Sequence, residues 1–430
     1  MLTVAYLANE FPAAGEPYVG DEIAELRRRG IRVIAGSVRK PDAAQRESAK
    51  TAGDSEILCL QPIRLLTLLR AIGLAIRHWN RISGLVSQAL LRGRESPGRR
   101  LKALLHTWLG AYYAVQLRGR EIDHIHVHHG YFGAWIAMVA ARLLGVSYSL
   151  TLHGSDLLVN GAYLDAKLKN CRFCLTVSEF NRRYILQHFP AIDPGRVVVS
   201  RLGVNVPEQA GFPGDITPER HRFTLLAVGR LHAVKDHAFL IKACARLRDR
   251  GIDLECAIAG EGPERPRLAA LILRNSLQEH CKLLGHVPPE RMDALYRAAD
   301  VVVLTSRSEG IPLVLMEAMA RRKLVVAPAI TGIPEIVVPG KTGFLYAPGR
   351  SDDLVAKILF LQERMHAEDR PAVSRLHWMR HAARVQVIHN FNRSKNLTRF
   401  GDRFLHRVAA GNFANENWSP SYEDSVLQQI

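Results

Sequence analysis

The chain has 430 residues, 47% of them hydrophobic and 23% charged, with 58 Lys and Arg against 41 Asp and Glu. That length suits roughly two or three domains, and the apolar share excludes a disordered, collagen-like or coiled-coil protein. Six cysteines are too few and too scattered for a disulfide scaffold. The start, MLTVAYLANEFP, carries no basic segment and no cleavage site of a secretory signal. Arg70 and Arg77 interrupt the longest apolar candidate, short of the ~18 residues a membrane span needs. The expectation is a soluble protein of a reducing, cytoplasmic compartment.

Taken in chain order, short apolar runs alternate with helical patterns, the signature of parallel α/β sheets. In the first half the runs are LTVAYLA from Leu2, IRVIAGSV from Ile31, DHIHVHH from Asp123, SYSLTLHG from Ser147, CLTVS from Cys174 and VVVSRLG from Val197. Between the first two, DEIAELRRRG reads as a helix closed by Gly30. Residues 60–120 hold eleven Lys and Arg against one acid, Glu95, and place Leu65, Leu68, Leu69, Ile72 and Ile76 at helical spacing. A basic amphipathic helix of this kind reads as a membrane-surface element; the alternative is a solvated helix whose Arg stems cover a core. Nucleic acid is the other polyanion to weigh, and the stretch has no helix-turn-helix, zinc-finger or aromatic RNA-binding pattern, so no nucleic-acid partner is expected.

The polar segment 206–222 reads as a linker, and a second set of strands follows in TLLAVGR, ECAIAG, KLLGHV, DVVVLTS and KLVVAP. The expected organisation is an N-terminal Rossmann-like domain over 1–205 with the basic insert at 60–120, and a second Rossmann-like domain over 206–385. A helix over 386–408 is expected to pack back on the first domain, ahead of a loose tail over 409–430.

Three constellations carry chemistry. In SRSEGIPLVLMEAMA (306–320) a strand is expected to end at Ser306, Glu309 and Gly310 lie on a loop, and a helix carries Glu317. Amides at such a helix start form an anion site, and Gly310 admits a ligand close to the main chain; the two carboxylates suit sugar or ribose hydroxyls. In AVGRLHAVKDH (227–237) Gly229 turns the chain, and Arg230 and Lys235 are placed to reach one diphosphate. AGEGPER (259–265) is a Gly-rich turn without the full dinucleotide fingerprint.

With these residues the chain resembles the retaining GT-B glycosyltransferases of family 4, nearest the enzymes of exopolysaccharide, colanic-acid-like assembly. The marks run in order along nearly the whole chain: TLHGSDL with His153 and Gly154, VSEFNRR from Val177, Gly229-Arg230 with Lys235, GEGP, LLGHV from Leu283, Glu309 and Glu317 as E-x7-E, and TGIPEIV from Thr331. The resemblance implies that Arg230 and Lys235 hold the donor diphosphate, that Glu309 binds donor-sugar hydroxyls, and that the amides of Gly310, Ile311, Pro312 and Leu313 lie near phosphate and sugar. It places Glu317 on the ribose, Gly285, His286 and Val287 against the base, His153 on the donor sugar from across the cleft, and Gly15 on the first-domain loop. It implies a UDP- or GDP-linked donor, no cofactor, no metal and no covalent nucleophile. Two departures stand out: the loop after the first strand has Gly15 followed by Glu16 where many members have two glycines, and RLGVN (201–205) replaces an Asn-Gly-Val-Asp turn.

Other signals are set aside. His124, His126, His128 and His129 lack an attached carboxylate or cysteine at ligand spacing and read as core and cleft histidines. Cys171 and Cys174 lack a second pair and read as buried thiols. PGKTGF (339–344) has Glu335 where a phosphate-binding loop needs glycine, and reads as a turn. The expected function is retaining transfer of a hexose-type sugar from a nucleotide-sugar to a membrane-associated, lipid-linked oligosaccharide in exopolysaccharide or cell-surface polysaccharide synthesis. That acceptor implies peripheral attachment to the inner membrane face. The competing readings are a sugar-nucleotide epimerase of the same fold and an inactive nucleotide-binding scaffold.

Overall fold

The computed structural model describes residues 1–13, 15–41, 57–92, 95–159, 161–208, 222–366 and 370–409. Most of the expected linker, 209–221, and the tail from 410 lie outside these residues.

The first domain is built on seven parallel strands: β1 (Thr3–Ala8), β2 (Arg32–Ser37), β3 (Ile57–Cys59), β4 (His124–His128), β5 (Ser147–Leu152), β6 (Cys174–Thr176) and β7 (Val197–Val199), in spatial order 3-2-1-4-5-6-7. The second has six: β8 (Phe223–Val228), β9 (Leu254–Ala259), β10 (Cys281–Gly285), β11 (Val301–Val303), β12 (Leu324–Pro328) and β13 (Phe344–Tyr346), in order 10-9-8-11-12-13. These are two doubly wound sheets. The sequence runs foresee eleven of the thirteen strands; β3 and β13 are the additions, each three residues long. Central strands read as unbroken apolar runs because both faces are covered: every residue of β1 and of β4 is buried. The order reverses between β1 and β4 in one domain and between β8 and β11 in the other, and ligands of such sheets bind beyond the strand C-termini at that point.

Strand β11 stops at Val303, short of the expected Ser306. Beyond it the chain's polar groups turn to the loop after β8: Thr305 Oγ1 donates to Lys235 O at 3.0 Å and the Arg307 amide donates to Val234 O at 2.8 Å. Two loops that the sequence can only describe separately are thereby fastened together.

The helix Arg393–Ala409 lies on the first domain. Phe400 and Phe404 join Tyr6, Phe173 and Leu175 in one buried cluster, each large ring contributing on the order of 2 kcal/mol by the apolar area it removes from water. Arg29 pairs with Asp402, and Arg393 with Asp21. Its chain crosses back where RLGVN stands. Val204 bridges Asn392, and a Cβ on Gly203 would lie 2.6 Å from the Arg393 nitrogen, so this turn is shaped by the returning C-terminus.

The basic insert forms the helices Leu65–Arg77, Trp79–Ser87 and Pro97–Leu117. Ala71, Leu74, Ile82, Ala111 and Tyr113 face the core. The opposite faces leave Leu65, Leu66, Leu69, Ile76, Leu101, Leu105 and Trp108 exposed. Among the described residues no helix is long and apolar enough to cross a membrane.

Candidate functional site

The loops after the switch-point strands carry most of the expected residues and meet across the two domains. In the second domain Gly229 leaves β8, Arg230 stands exposed, and Lys235 closes a short 3-10 turn. Lys235 Nζ donates to Glu309 Oε1 at 2.6 Å, with both side chains mostly buried. Glu309 is fixed from behind as well, its carbonyl accepting from Thr331 Oγ1 at 2.6 Å. The Gly-rich turn 259–262 braces the Gly229 loop: the Leu231 amide donates to Glu261 O at 2.8 Å, and a Cβ on Gly260 would sit 1.9 Å from Gly229 O. Backbone is packed on backbone there, so only glycine fits, and Gly260 holds φ near +147°.

Gly310 packs directly against the first domain. A Cβ on it would lie 1.5 Å from His153 O, and one on Gly154 would lie 2.7 Å from Gly310 Cα. Ile311 and Pro312 are buried, and the helix Leu313–Ala320 starts at Pro312 with no side chain capping it, which leaves its first amides open to an anion. Glu317, half-buried one turn in, accepts from the Tyr296 hydroxyl at 2.7 Å. Gly285 ends β10 at the sheet edge, and His286 and Val287 follow it, with His286 exposed. The domains are latched again by Glu335, whose carboxylate accepts from the amides of Glu179 and Phe180 at 3.0 and 2.7 Å and so caps the helix Glu179–His188.

The first-domain half is a network of acids and imidazoles. Asp156 is fully buried and accepts from the amides of Gly130, His153 and Gly154. Burial works to raise its pKa, and the facing His129 together with these amides pulls it well below the usual carboxylate range. His129 has Nε2 3.0 Å from Glu16 Oε1 and Nδ1 3.6 Å from Asp156 Oδ2. Burial would lower its pKa, but the two carboxylates outweigh that and raise it to about 10, so the imidazolium persists at neutral pH. Glu16 is likewise opposed by burial and held below its ordinary value by His129, with Arg230 contributing from the other domain. His153 lies between these groups, stacked on Tyr18 at 4.7 Å and 4.5 Å from the His129 ring. Its pKa is driven well down, first by burial and then by the charges of His129 and His128, so its ring is neutral.

Lys235, Glu309, Gly310 and His153 are thus brought together, with Arg230 projecting toward Glu16, Tyr18 and Tyr131 closely enough to shift all three. Gly15 is exposed with open space around it, while Glu16 turns inward to His129. Of the histidine strand, His124 and His126 are spent on Ser147, Ser149 and Thr151. Cys171 and Cys174 are buried, and burial pushes the Cys171 thiol up to about 12. Sequence reasoning missed Glu16, Glu22, His128, His129, Asp156 and Tyr18 as members of the site. The GSD spacing was the available signal for Asp156, since an Asp two residues past a strand-end glycine commonly takes backbone amides.

Comparison with known proteins identifies the family and the fold. Residues 15–207 match the family described as Glycosyltransferase Family 4, and residues 215–372 match Glycosyl transferases group 1. The putative colanic acid biosynthesis glycosyltransferase WcaL of Escherichia coli is 31% identical over 46% of this chain and 48% of its own. The amylovoran biosynthesis glycosyltransferase AmsK of Erwinia amylovora is 29% identical over 66% of this chain and 70% of its own. The matches span between 38% and 48% of the length of the first three curated relatives. Among solved structures, Anabaena HepE in complex with UDP-glucose has a TM-score of 0.69 at 18% identity, over 94% of this chain and 100% of that one. Sucrose-phosphate synthase from Thermosynechococcus elongatus has a TM-score of 0.71 at 17% identity, over 95% and 100%. At such identities these two show the fold.

Proposed function

Starting from a chain that belongs by both of its domains to the GT-B glycosyltransferases, we propose that it moves a hexose-type sugar, with retention, from a UDP- or GDP-linked donor to a lipid-linked oligosaccharide in exopolysaccharide or surface polysaccharide synthesis. The observation that carries this reading is the Lys235–Glu309 pair set against Gly310 and the His153 loop at the meeting of two switch points. In the free protein Lys235 is neutralised by Glu309. On this reading the donor diphosphate takes over the lysine, Arg230 supplies a second positive charge, and the uncapped amides at Leu313 complete the cradle. Charge accumulates on the diphosphate as the sugar leaves, so these groups bind the transition state more strongly than the ground state. Glu309, released from Lys235, is then free to accept from sugar hydroxyls, Glu317 meets the ribose, and His153 bounds the sugar from the first domain. These protein cations serve as the counter-charges, so transfer is expected to persist in excess EDTA.

The acceptor side is the basic insert. Its exposed Leu65, Leu66, Leu69, Leu101 and Leu105 stand among Arg64, Arg70, Arg77, Arg99 and Arg100, a combination suited to the inner, anionic membrane face. Each cation near such a surface is worth about 1 kcal/mol. A thermal-shift panel of UDP, GDP, ADP and their sugars tests the donor site: one nucleotide raises the midpoint, and Lys235→Ala abolishes the rise. No shift with any nucleotide refutes the reading. For the membrane, wild type is expected to sediment with phosphatidylglycerol vesicles at low salt and Leu65→Ser/Leu66→Ser/Leu69→Ser to stay in solution; equal sedimentation refutes it.

A further inference from the structure

Three cysteines far apart in the sequence converge in the core of the second domain, and the reaction described above uses none of them. Cys244 lies on the helix His237–Arg248, Cys256 on β9 and Cys281 at the start of β10. Cys256 and Cys281 are register partners on neighbouring parallel strands, so both side chains project from the same sheet face. The helix brings Cys244 to them: the three sulfurs all lie within 4.8 Å of one another. Each of the three residues is buried, and none is in a disulfide. Among the described residues no fourth ligand joins the group. His280, next to Cys281 in the chain, is turned elsewhere, with Nδ1 3.0 Å from Leu254 O and 3.2 Å from Arg222 Nη2.

We propose that Cys244, Cys256 and Cys281 form a three-coordinate site for a soft, thiophilic ion, and that the charge of the site selects trivalent arsenic. Around one ion with sulfur bonds of about 2.3 Å, three sulfurs stand about 3.5–4 Å apart, so a contraction of about 1 Å or less closes the cluster. Thiolates favour soft ions over hard ones. Zinc in a structural site takes four ligands in a tetrahedron, one more than this cluster supplies. Charge decides among the others. The cysteines share an apolar cluster with Leu247, Leu254, Ile272 and Leu277. The neighbouring Arg248 is committed to Asp249 and to the carbonyls of Asn275 and Ser276. Unbalanced charge in such surroundings is costly. Three thiolates leave a monovalent ion such as Cu(I) with two negative charges in excess and a divalent ion with one, whereas the complex with As(III) is neutral. Arsenite reaches the site as As(OH)3. Three As–O bonds break, three As–S bonds form, and each thiol proton leaves with a hydroxyl as water, with no electron transferred. The bound ion ties the helix that follows the Lys235 loop to two strands of the sheet, so binding stabilises the folded second domain.

The experiment treats the full-length, reduced protein with arsenite and reads native mass, thermal midpoint and arsenic X-ray absorption. One arsenic per chain is expected, with the loss of three hydrogens, a midpoint that rises with arsenite concentration, and an absorption spectrum of three sulfur neighbours without oxygen. Cys171→Ala/Cys174→Ala, which removes the other pair of buried thiols, should bind as the wild type does. Cys256→Ala should lose the bound arsenic at the same arsenite concentration. The proposal is overturned if no arsenic binds, if an oxygen remains on it, or if Cys171→Ala/Cys174→Ala abolishes binding while Cys256→Ala keeps it. A midpoint that falls also overturns it, because arsenite then prefers the unfolded chain. Should Cys256→Ala fail to fold, the sulfur count in the wild type still decides. Zinc added in place of arsenite should leave the midpoint unchanged, and a rise equal to that with arsenite overturns the selection by charge. Sugar transfer enters none of these readouts, so the site stands or falls independently of the donor reading.

Discussion

Two buried basic groups flank the loop after β4, and their surroundings drive their protonation in opposite directions. His129 is raised to about 10 from 6.5 by the carboxylates of Asp156 and Glu16, which outweigh its burial. Lys167, fully buried with Nζ donating to Gly130 O at 2.7 Å and Ala162 O at 2.6 Å, is lowered to about 7 from 10.5 by desolvation, against the pull of Glu95, Asp156 and Asp165. Between those limits the folded protein holds more protons at His129 than the unfolded chain, so that contribution is whole below pH 6.5 and fades as pH rises to 10. At Lys167 the unfolded chain holds more, so stability is gained as pH climbs from 7 toward 10.5. Each slope approaches about 1.4 kcal/mol per pH unit, and over pH 7 to 9 each amounts to about 2–3 kcal/mol. In the wild type they nearly cancel, and single substitutions unmask them. Urea unfolding at pH 7, 8 and 9 of wild type, His129→Gln and Lys167→Met reads the differences directly. The loss caused by His129→Gln should shrink by about 2–3 kcal/mol across that range, and the loss caused by Lys167→Met should grow by a like amount. Two difference curves that are flat, or that tilt the same way, would refute the assignment of these charges.

Three further outcomes follow from the domain contacts and the donor cradle. Gly310→Ala puts a methyl against the His153 carbonyl, and because that contact lies between domains the cost falls on closure. Transfer should drop at least about 100-fold while far-UV circular dichroism stays unchanged; wild-type rates would show that the loops do not close in turnover. Glu335→Gln replaces a carboxylate by a neutral amide at the start of Glu179–His188, and should lower stability by about 1–2 kcal/mol in urea unfolding; an unchanged midpoint counts against the latch. Glu309→Gln frees Lys235 from its ion pair, so nucleoside diphosphate should bind at least as tightly by calorimetry while transfer of sugar collapses; equal loss of both would place Glu309 on the diphosphate instead.

How far the sequence could be read depended on how local the determining interaction is. Strands such as LTVAYLA and DVVVLTS declare themselves because both sheet faces are covered and nearly every position is apolar. The residue triplets Ile57–Cys59 and Phe344–Tyr346 do not, because three residues at a sheet edge carry no period. The second-domain half of the site was legible for a similar reason: Gly229, Arg230 and Lys235 belong to one loop, and Glu309 and Glu317 to a second loop and the helix it opens, so spacing alone groups them. That Lys235 and Glu309 would meet rests on the Thr305–Lys235 and Arg307–Val234 hydrogen bonds between those loops, and no spacing encodes them.

The first-domain half was hidden because its chemistry is assembled from four places in the chain: Glu16 and Glu22 after β1, His128 and His129 at the end of β4, His153 and Asp156 after β5, and Tyr6 within β1 itself. Each is unremarkable alone. Glu22 looks like the polar side of a surface helix, yet that helix turns it inward beneath Tyr6, where a buried carboxylate is tolerable only because Tyr6 and His128 both serve it. Glu16 occupies the place of a second glycine, and its carboxylate is spent on His129. That pairing carries an electrostatic consequence. An isolated carboxylate beside Arg230 would repel a diphosphate, whereas one committed to a protonated imidazole carries little net field. The departure from a double glycine is therefore compatible with an anion-binding cleft because His129 is charged.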